Sequence, residues 1–276
     1  MQYKIVCDSS ANPGLFSPDH TSVPLKIIAG EKEFVDDRRL QLSQMLTYLQ
    51  SYKGKSGTAC PNVADYLEAF QGAENVFCFT ITSNLSGSCN AARIAKEEYE
   101  AANPGCKVFV VDSLSAGPEI RLLMEKTHQN LQKGAGFDEI CRELDAYLAN
   151  TGLMFSLESL RNLANNGRVS PVVAKISGVL GIRVVGRASE QGTLEPMDKC
   201  RGQQKALQKI LQRMTEQGYC GGKVRIDHCC NPEAAGQLET LIHAAFPEAD
   251  VQAGQCGGLC SFYAEQGGLL VGYEKI

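Results

Sequence analysis

Several features that mark other protein classes are missing from this sequence. Lysine and arginine form no concentrated cluster and the formal net charge is −4, so nucleic acid is not the expected partner. No apolar run approaches the roughly 18 residues of a membrane span. The N-terminal segment Lys4–Asp8 provides no apolar signal-peptide core. We therefore expect a cytoplasmic protein without a membrane span.

The twelve cysteines include no Cys-x-x-Cys pair of the kind that zinc sites commonly contain. Without a secretion signal, a disulfide framework is disfavoured as well. The nearest approach to a metal-ligand set is His228 with Cys229, Cys230, Cys256 and Cys260, and its spacings fit no standard zinc motif. We expect buried structural thiols, no metal and no cofactor.

A serine nucleophile is not indicated either. The Gly-x-Ser-x-Gly elbow is absent, and the four histidines have no aspartate placed to form an obvious triad. We therefore expect a binding protein that performs no catalysis.

The order of apolar segments predicts a two-domain α/β protein. The chain of 276 residues is long enough to form two domains of ordinary size. Residues 1–153 alternate short apolar strands with amphipathic helices, as in a parallel sheet flanked by helices. Residues 154–276 change pattern and predict a smaller α+β domain. Five of the expected elements are a helix with Pro61 at its first position, helices over Ser86–Tyr99, Leu157–Ala164 and Arg201–Met214, and a hairpin from Ile182 to Leu194.

The segment Thr80–Ser88 carries the clearest candidate site. A strand is expected to end there, a hydroxyl-rich turn follows, and a helix begins. Helix N-termini present free N–H groups and a partial positive charge, so they bind anions, and Gly87 permits close approach of a ligand. Ordinary N-capping by Ser86 is the alternative, but the segment holds more hydroxyls than one cap needs.

Three further segments have a similar form, and they are Asp8-Ser9-Ser10, Ser56 to Pro61, and Asp112 to Gly117. In a parallel sheet the carboxyl ends of the strands meet at one edge, where ligands commonly bind. We expect the four segments to lie at the same end of the sheet.

Short motifs in a characteristic order extend along nearly the whole chain. They are Asp8-Ser9-Ser10, Val23-Pro24-Leu25 with Asp36 downstream, Thr58 to Pro61, Ser86-Gly87-Ser88, Val111-Asp112-Ser113, Leu157 to Ser170, and Lys199-Cys200-Arg201. This order resembles the DegV family of bacterial fatty-acid-binding proteins. The resemblance implies a DegV-like fold with a long-chain fatty acid, of the palmitate or oleate type, between the two domains. It also implies a partner, a fatty acid kinase that makes acyl phosphate for phospholipid synthesis.

The resemblance also implies roles for individual residues. Thr58 and Ser86 would hold the carboxylate beside Gly87 and Ser88, with Ser88 at a position where the family usually has threonine. Arg201 matches a basic family position near the ligand head or the kinase surface. Near the C-terminus the family carries histidine followed by Gly-Pro-Gly, whereas this chain has Gln255-Cys256-Gly257-Gly258.

A second hypothesis belongs to another class. Hydroxyl-rich turns before helices also cradle phosphates. Ser86-Gly87-Ser88 could therefore serve a phosphosugar-binding enzyme or regulator. The two hypotheses differ in the rest of the pocket, because a fatty acid needs a long apolar tunnel and a sugar phosphate needs polar groups throughout.

Overall fold

The computed structural model describes residues 2–12, 19–170 and 181–275. The strands are β1 Tyr3–Asp8, β2 His20–Val23, β3 Lys26–Ala29, β4 Lys32–Val35, β5 Ser56–Ala59, β6 Asn75–Thr80, β7 Lys107–Asp112, β8 Thr151–Leu157, β9 Ile182–Ala188, β10 Leu194–Arg201, β11 Val224–His228, β12 Val251–Gln255 and β13 Leu269–Glu274. The helices of the described ranges are α1 Leu42–Ser51, α2 Val63–Phe70, α3 Ser88–Ala102, α4 Pro118–Gln132, α5 Phe137–Leu148, α6 Arg161–Asn165, α7 Gln203–Glu216, α8 Pro232–Ala245 and α9 Gly258–Ala264, and a 3-10 turn lies at Ser9–Ala11.

The first half contains the predicted parallel sheet. Its strand order is β2-β1-β6-β7, and every neighbouring pair is parallel. Alternate residues point to opposite faces. Ile5 and Phe77 pack against α4 and α5, whereas Val6 and Cys78 pack against α2 and α3. Helices on both faces of a parallel sheet confirm the fold predicted for this part of the chain.

The second half contains a six-stranded sheet of order β10-β9-β8-β13-β11-β12. The β11–β12 pair is parallel and the other pairs are antiparallel. One face carries α7 and α8. The opposite face presents Leu153, Phe155 and Leu270 toward the first half, and α4 packs there against β8 and β13. Helix α4 therefore lies between the two sheets.

A small antiparallel sheet of order β4-β3-β5 was not predicted. It packs through Ile27 and Phe34 against α1 and α9. The prediction that Ser56 to Pro61 forms a turn at the edge of the parallel sheet was wrong, because Ser56–Ala59 is strand β5. Pro61 is not a helix N1 residue either, since Asn62 caps α2 through a reciprocal capping box with Asp65.

Several predicted boundaries also differ. The helix predicted over Leu157–Ala164 is wrong in its first half, because β8 runs to Leu157 and α6 begins at Arg161. Arg201 ends β10 and does not begin a helix. Gly202 follows with φ of 87°, a conformation that breaks the strand before α7. Helix α3 begins at Ser88, two residues after the predicted Ser86.

The hairpin predicted between Ile182 and Leu194 is confirmed as β9 and β10, with longer strands than expected. The predicted domain boundary after residue 153 falls inside β8, which pairs with β13 and β9, and the boundary stays a prediction. The sequence also predicts a Pro-Gly turn at residues 13–14, which lie outside the described residues. In the described part of the chain, no helix combines the length and apolar character required to cross a membrane.

Candidate functional site

A cavity of about 310 Å³ lies between the two halves of the chain. Its size is at the lower end of the roughly 300–1,000 Å³ range of small-molecule sites. The walls are mainly aliphatic and aromatic side chains, among them Leu25, Ile81, Leu153, Phe155, Leu157 and Leu270. An apolar wall of this kind suits a hydrocarbon better than a sugar.

Four described residues that line the cavity carry a side-chain hydroxyl or guanidinium, and they are Thr58, Ser86, Arg168 and Tyr263. Contacts between their segments hold them near one another. The Thr58 Oγ1 lies 2.8 Å from the Tyr263 hydroxyl, and Arg168 donates from Nε to the carbonyl of Leu85 at 3.0 Å. Asn166 donates from Nδ2 to the carbonyl of Ser56 at 3.3 Å and joins the Arg168 segment to strand β5, so these groups form a polar patch in an otherwise apolar cavity.

Thr58 reaches the cavity from strand β5. Its register partner on β3 is Ile27, which is fully buried. The pairing with β3 fixes the backbone of this strand, so the position of the Thr58 hydroxyl does not depend on a mobile turn. Cys60 follows at the edge of the cavity and is exposed.

Ser86 and Gly87 form the last residues before α3. The Ser86 hydroxyl accepts a long hydrogen bond from the backbone N–H of Ser88, at 3.3 Å, and the residue is half-buried. A Cβ on Gly87 would lie 3.2 Å from Sγ of Cys60. Glycine at this position thus allows the Ser86 turn to approach Cys60 closely where both segments line the cavity.

Ser88 is not brought together with Thr58 and Ser86. Its hydroxyl is fully buried, donates to Oδ2 of Asp8 at 2.6 Å, and lies 2.6 Å from the hydroxyl of Tyr66. The residue does not line the cavity. The local sequence predicts the same role for Ser86 and Ser88. In the fold, only Ser86 lines the cavity, because the Ser88 hydroxyl is directed to Asp8 and Tyr66.

The Asp8 carboxylate organises this edge of the parallel sheet. It accepts hydrogen bonds from the N–H and hydroxyl of Ser10, from the N–H of Ile81 at 2.9 Å, and from Ser88. Burial raises the pKa of Asp8, and these hydrogen bonds oppose the shift. The carboxylate therefore ties the ends of β1 and β6 to the start of α3 and fixes the Ser86 turn.

Arg168 was not predicted as a site residue, although it belongs to the Gly167-Arg168-Val169-Ser170 motif. Besides its bond to Leu85, it donates from Nη1 to the carbonyl of Asn166. It is the one charged residue among those described at the cavity wall. Arg201, by contrast, is exposed at the end of β10 and does not line the cavity.

The segment Gln255-Cys256-Gly257-Gly258 holds the start of α9 in place through its backbone N–H groups. Gly257 donates its N–H to Oδ1 of Asn12 at 2.8 Å. Gly258 and Leu259 donate theirs to the two oxygens of Asp36, at 2.6 and 2.9 Å. Asp36 is buried, and burial raises its pKa while these bonds oppose the shift. The arrangement positions α9, and with it Tyr263, against the first half of the chain.

All twelve cysteines are free thiols, and seven of them are buried: Cys7, Cys78, Cys89, Cys200, Cys229, Cys256 and Cys260. Burial raises the pKa of Cys256 and of Cys260 well above the ordinary value. Within the described ranges, no group of three or more His, Cys, Asp or Glu side chains is arranged to hold a metal ion. The absence of zinc from the purified protein stays a prediction.

Comparison with known proteins agrees with this architecture. The model of the DegV family, described as a family of uncharacterised proteins, matches residues 2–275. A DegV domain-containing protein of Streptococcus pneumoniae is 42% identical over 280 residues, covering 99% of each chain.

Two similar solved structures contain lipid. The Streptococcus pneumoniae fatty acid kinase (Fak) B3 protein, loaded with linoleic acid, is 42% identical with a TM-score of 0.97, and the match covers 100% of each chain. A DegV family protein from Eubacterium eligens, loaded with heptadecanoic acid, has the same identity and TM-score and is matched over 99% of this chain and 100% of its own. These similarities confirm the α/β fold, and the chain belongs to the DegV family.

Proposed function

We propose that this chain binds a long-chain fatty acid in the cavity and presents its carboxylate to a fatty acid kinase, performing no chemistry itself. The observation that carries the proposal is the polar patch of Thr58, Ser86, Arg168 and Tyr263 in an apolar cavity. An ionised carboxylate leaves water only where donors replace the solvent, and an acyl chain gains about 0.8 kcal/mol for each buried CH₂. The polar patch supplies donors for the carboxylate, and the apolar walls bury the acyl chain.

Presentation to a partner is supported by the position of the patch. Cys60 and Gly87 line the cavity and are exposed, so the polar patch lies beside the mouth. A carboxylate held there would be accessible to a second protein while the acyl chain of the fatty acid stays buried in the cavity. The relative loaded with linoleic acid is described as a fatty acid kinase B3 protein, which supports the same partner class.

The roles of individual residues follow from their places. We assign carboxylate binding to Thr58, to Ser86 and to the helix start at Gly87, and charge compensation to Arg168. Ser88 supports the turn through Asp8 and does not face the ligand. We assign Arg201, which is exposed, to the surface that contacts the kinase.

The proposal of a non-catalytic carrier is supported by the composition of the site. None of the described residues lining the cavity is histidine, aspartate or glutamate. The hydroxyl of Ser86 has the Ser88 N–H as its neighbour, which is a donor and not a base. Among the described residues of the cavity wall, no general base is thus in place to activate Ser86. We also propose that the protein acts in the cytosol, since free thiols suit a reducing compartment.

The phosphosugar hypothesis is less favoured. The Ser86-Gly87-Ser88 turn could accept a phosphate, but the remaining wall offers leucine, isoleucine and phenylalanine where sugar hydroxyls would need partners. Burying a hydroxyl without a hydrogen bond costs about 1–3 kcal/mol.

Two measurements test the proposal. Mass spectrometry of an organic extract of the purified protein should find about one fatty acid per chain, and the delipidated protein should bind palmitate or oleate. Addition of a fatty acid kinase and ATP to the loaded protein should then yield acyl phosphate. Lack of both extracted lipid and added-lipid binding would exclude the carrier function, whereas binding without phosphorylation would exclude only the kinase step.

A further inference from the structure

We propose that Tyr263 is a ligand-binding residue, and that it acts with Thr58 as one hydroxyl pair that binds the fatty acid carboxylate. This inference rests on the proposed function and adds to it a residue from the second half of the chain. The Tyr263 hydroxyl lies 2.8 Å from Thr58 Oγ1, a normal distance for an O–H···O hydrogen bond. Both residues line the cavity.

The two hydroxyls of this pair contain two donor hydrogens. One is used inside the pair, whichever residue donates, and the other is free to point into the cavity. An ionised carboxylate accepts hydrogen bonds and donates none, so it needs the free hydrogen. The internal bond sets the direction of the remaining hydrogen, so the pair presents one aligned donor to the ligand, and substitution of either residue removes this alignment. Ser86 presents a second donor.

The ring of Tyr263 is held in place by its neighbours. It packs edge to face on Phe262, with ring centroids 4.9 Å apart and an interplanar angle of 72°. It also contacts the apolar clusters that contain Leu25 and Phe155. The same side chain thus offers an apolar ring to the acyl chain and a hydroxyl to the head group, a combination typical of tyrosine at such boundaries.

The backbone that carries Tyr263 is fixed as well. Helix α9 is joined to the first half by the bonds from Gly258 and Leu259 to Asp36. Thr58 is fixed independently by the pairing of β5 with β3. Because neither backbone needs to move, the alignment of the two hydroxyls is present before the ligand arrives.

A purely structural tyrosine is the competing explanation, and the charge of the ligand separates the two. Filling the wall requires only the ring, which phenylalanine also provides. A hydroxyl that binds the carboxylate matters more for a charged acid than for a neutral ester, because hydrogen bonds to charged groups are stronger.

The test uses Tyr263→Phe in the full delipidated protein, with palmitate and methyl palmitate as ligands. The matched control is Tyr99→Phe, which removes a buried hydroxyl bond of the same length, 2.8 Å to the carbonyl of Ala73, away from the cavity. We expect Tyr263→Phe to weaken palmitate binding about 10-fold. Its effect on methyl palmitate should be clearly smaller, and Tyr99→Phe should leave the affinities for both ligands unchanged.

A double-mutant cycle with Thr58→Val adds a second measurement. If the pair supplies a single donor, the double variant should lose little more palmitate affinity than the weaker-binding single variant, so the two losses are not additive. Equal losses of acid and ester in Tyr263→Phe, or unchanged palmitate binding, would overturn the inference. Wild-type protein that binds neither ligand would instead overturn the proposed function, and the inference with it.

Discussion

Replacement of Ser86 by alanine is the most direct test of the anion site. The hydroxyl lines the cavity, and its bond to the Ser88 N–H is long at 3.3 Å. A hydrogen bond to a charged group contributes about 1.5–3 kcal/mol, so Ser86→Ala should weaken binding of palmitate about 10- to 100-fold. The fold should change little, because loss of a serine cap costs about 1 kcal/mol even when its bond is well formed.

The assay is a titration of delipidated protein with palmitate and with its methyl ester, together with thermal melts of each variant. Ser83→Ala is the matched control, since Ser83 lies in the same turn but is exposed and does not line the cavity. We expect the Ser83 variant to bind both ligands normally. Equal losses of acid and ester in Ser86→Ala, or an equal loss in the Ser83 variant, would remove Ser86 from the carboxylate site.

Three further predictions concern the walls and the core. Phe155→Ala should enlarge the cavity, shift the extracted lipids toward longer chains in mass spectrometry, and destabilise the protein by about 3–5 kcal/mol. Gly258→Ala should lower the melting temperature, because its Cβ would lie 2.5 Å from a methyl carbon of Leu40, whereas Gly236→Ala meets nothing within 4 Å and should not. Burial raises the pKa of Glu119 above the ordinary value of 4.5. The free energy of unfolding therefore falls as the pH rises above 4.5, because the unfolded state releases this proton more readily than the folded state. Glu119→Gln should therefore gain stability relative to wild type as the pH rises above this value, and a stability difference that does not change with pH would contradict this.

The parallel sheet was predictable because its signals are local. Val76–Ile81 and Lys107–Val111 are short apolar runs followed by amphipathic helices, and both runs are observed as strands. Strand β5 gave no such signal, since Ser56-Gly57-Thr58-Ala59 contains no bulky apolar residue and is half-buried. Only its pairing with Lys26–Ala29, some thirty positions earlier in the chain, makes it a strand.

The candidate site was predictable only where its sequence signals are local. Ser86 was identified because a hydroxyl before a helix start is a local pattern. The pattern could not distinguish Ser86 from Ser88, whose hydroxyl is directed to Asp8 eighty residues away. Tyr263 and Thr58 are separated by 205 positions, so no local pattern could indicate their contact.

The cavity is built from both halves of the chain, and this has a thermodynamic consequence for every comparison of variants. A ligand that contacts Ser86 on one side and Leu270 on the other binds the folded chain and not the unfolded one. At a free concentration of about 100 times Kd it would stabilise the fold by about 2.7 kcal/mol. A variant that merely loses lipid during purification would therefore melt earlier without any defect in packing. If the chain binds a fatty acid as proposed, melting temperatures of its variants can be compared only at matched lipid occupancy.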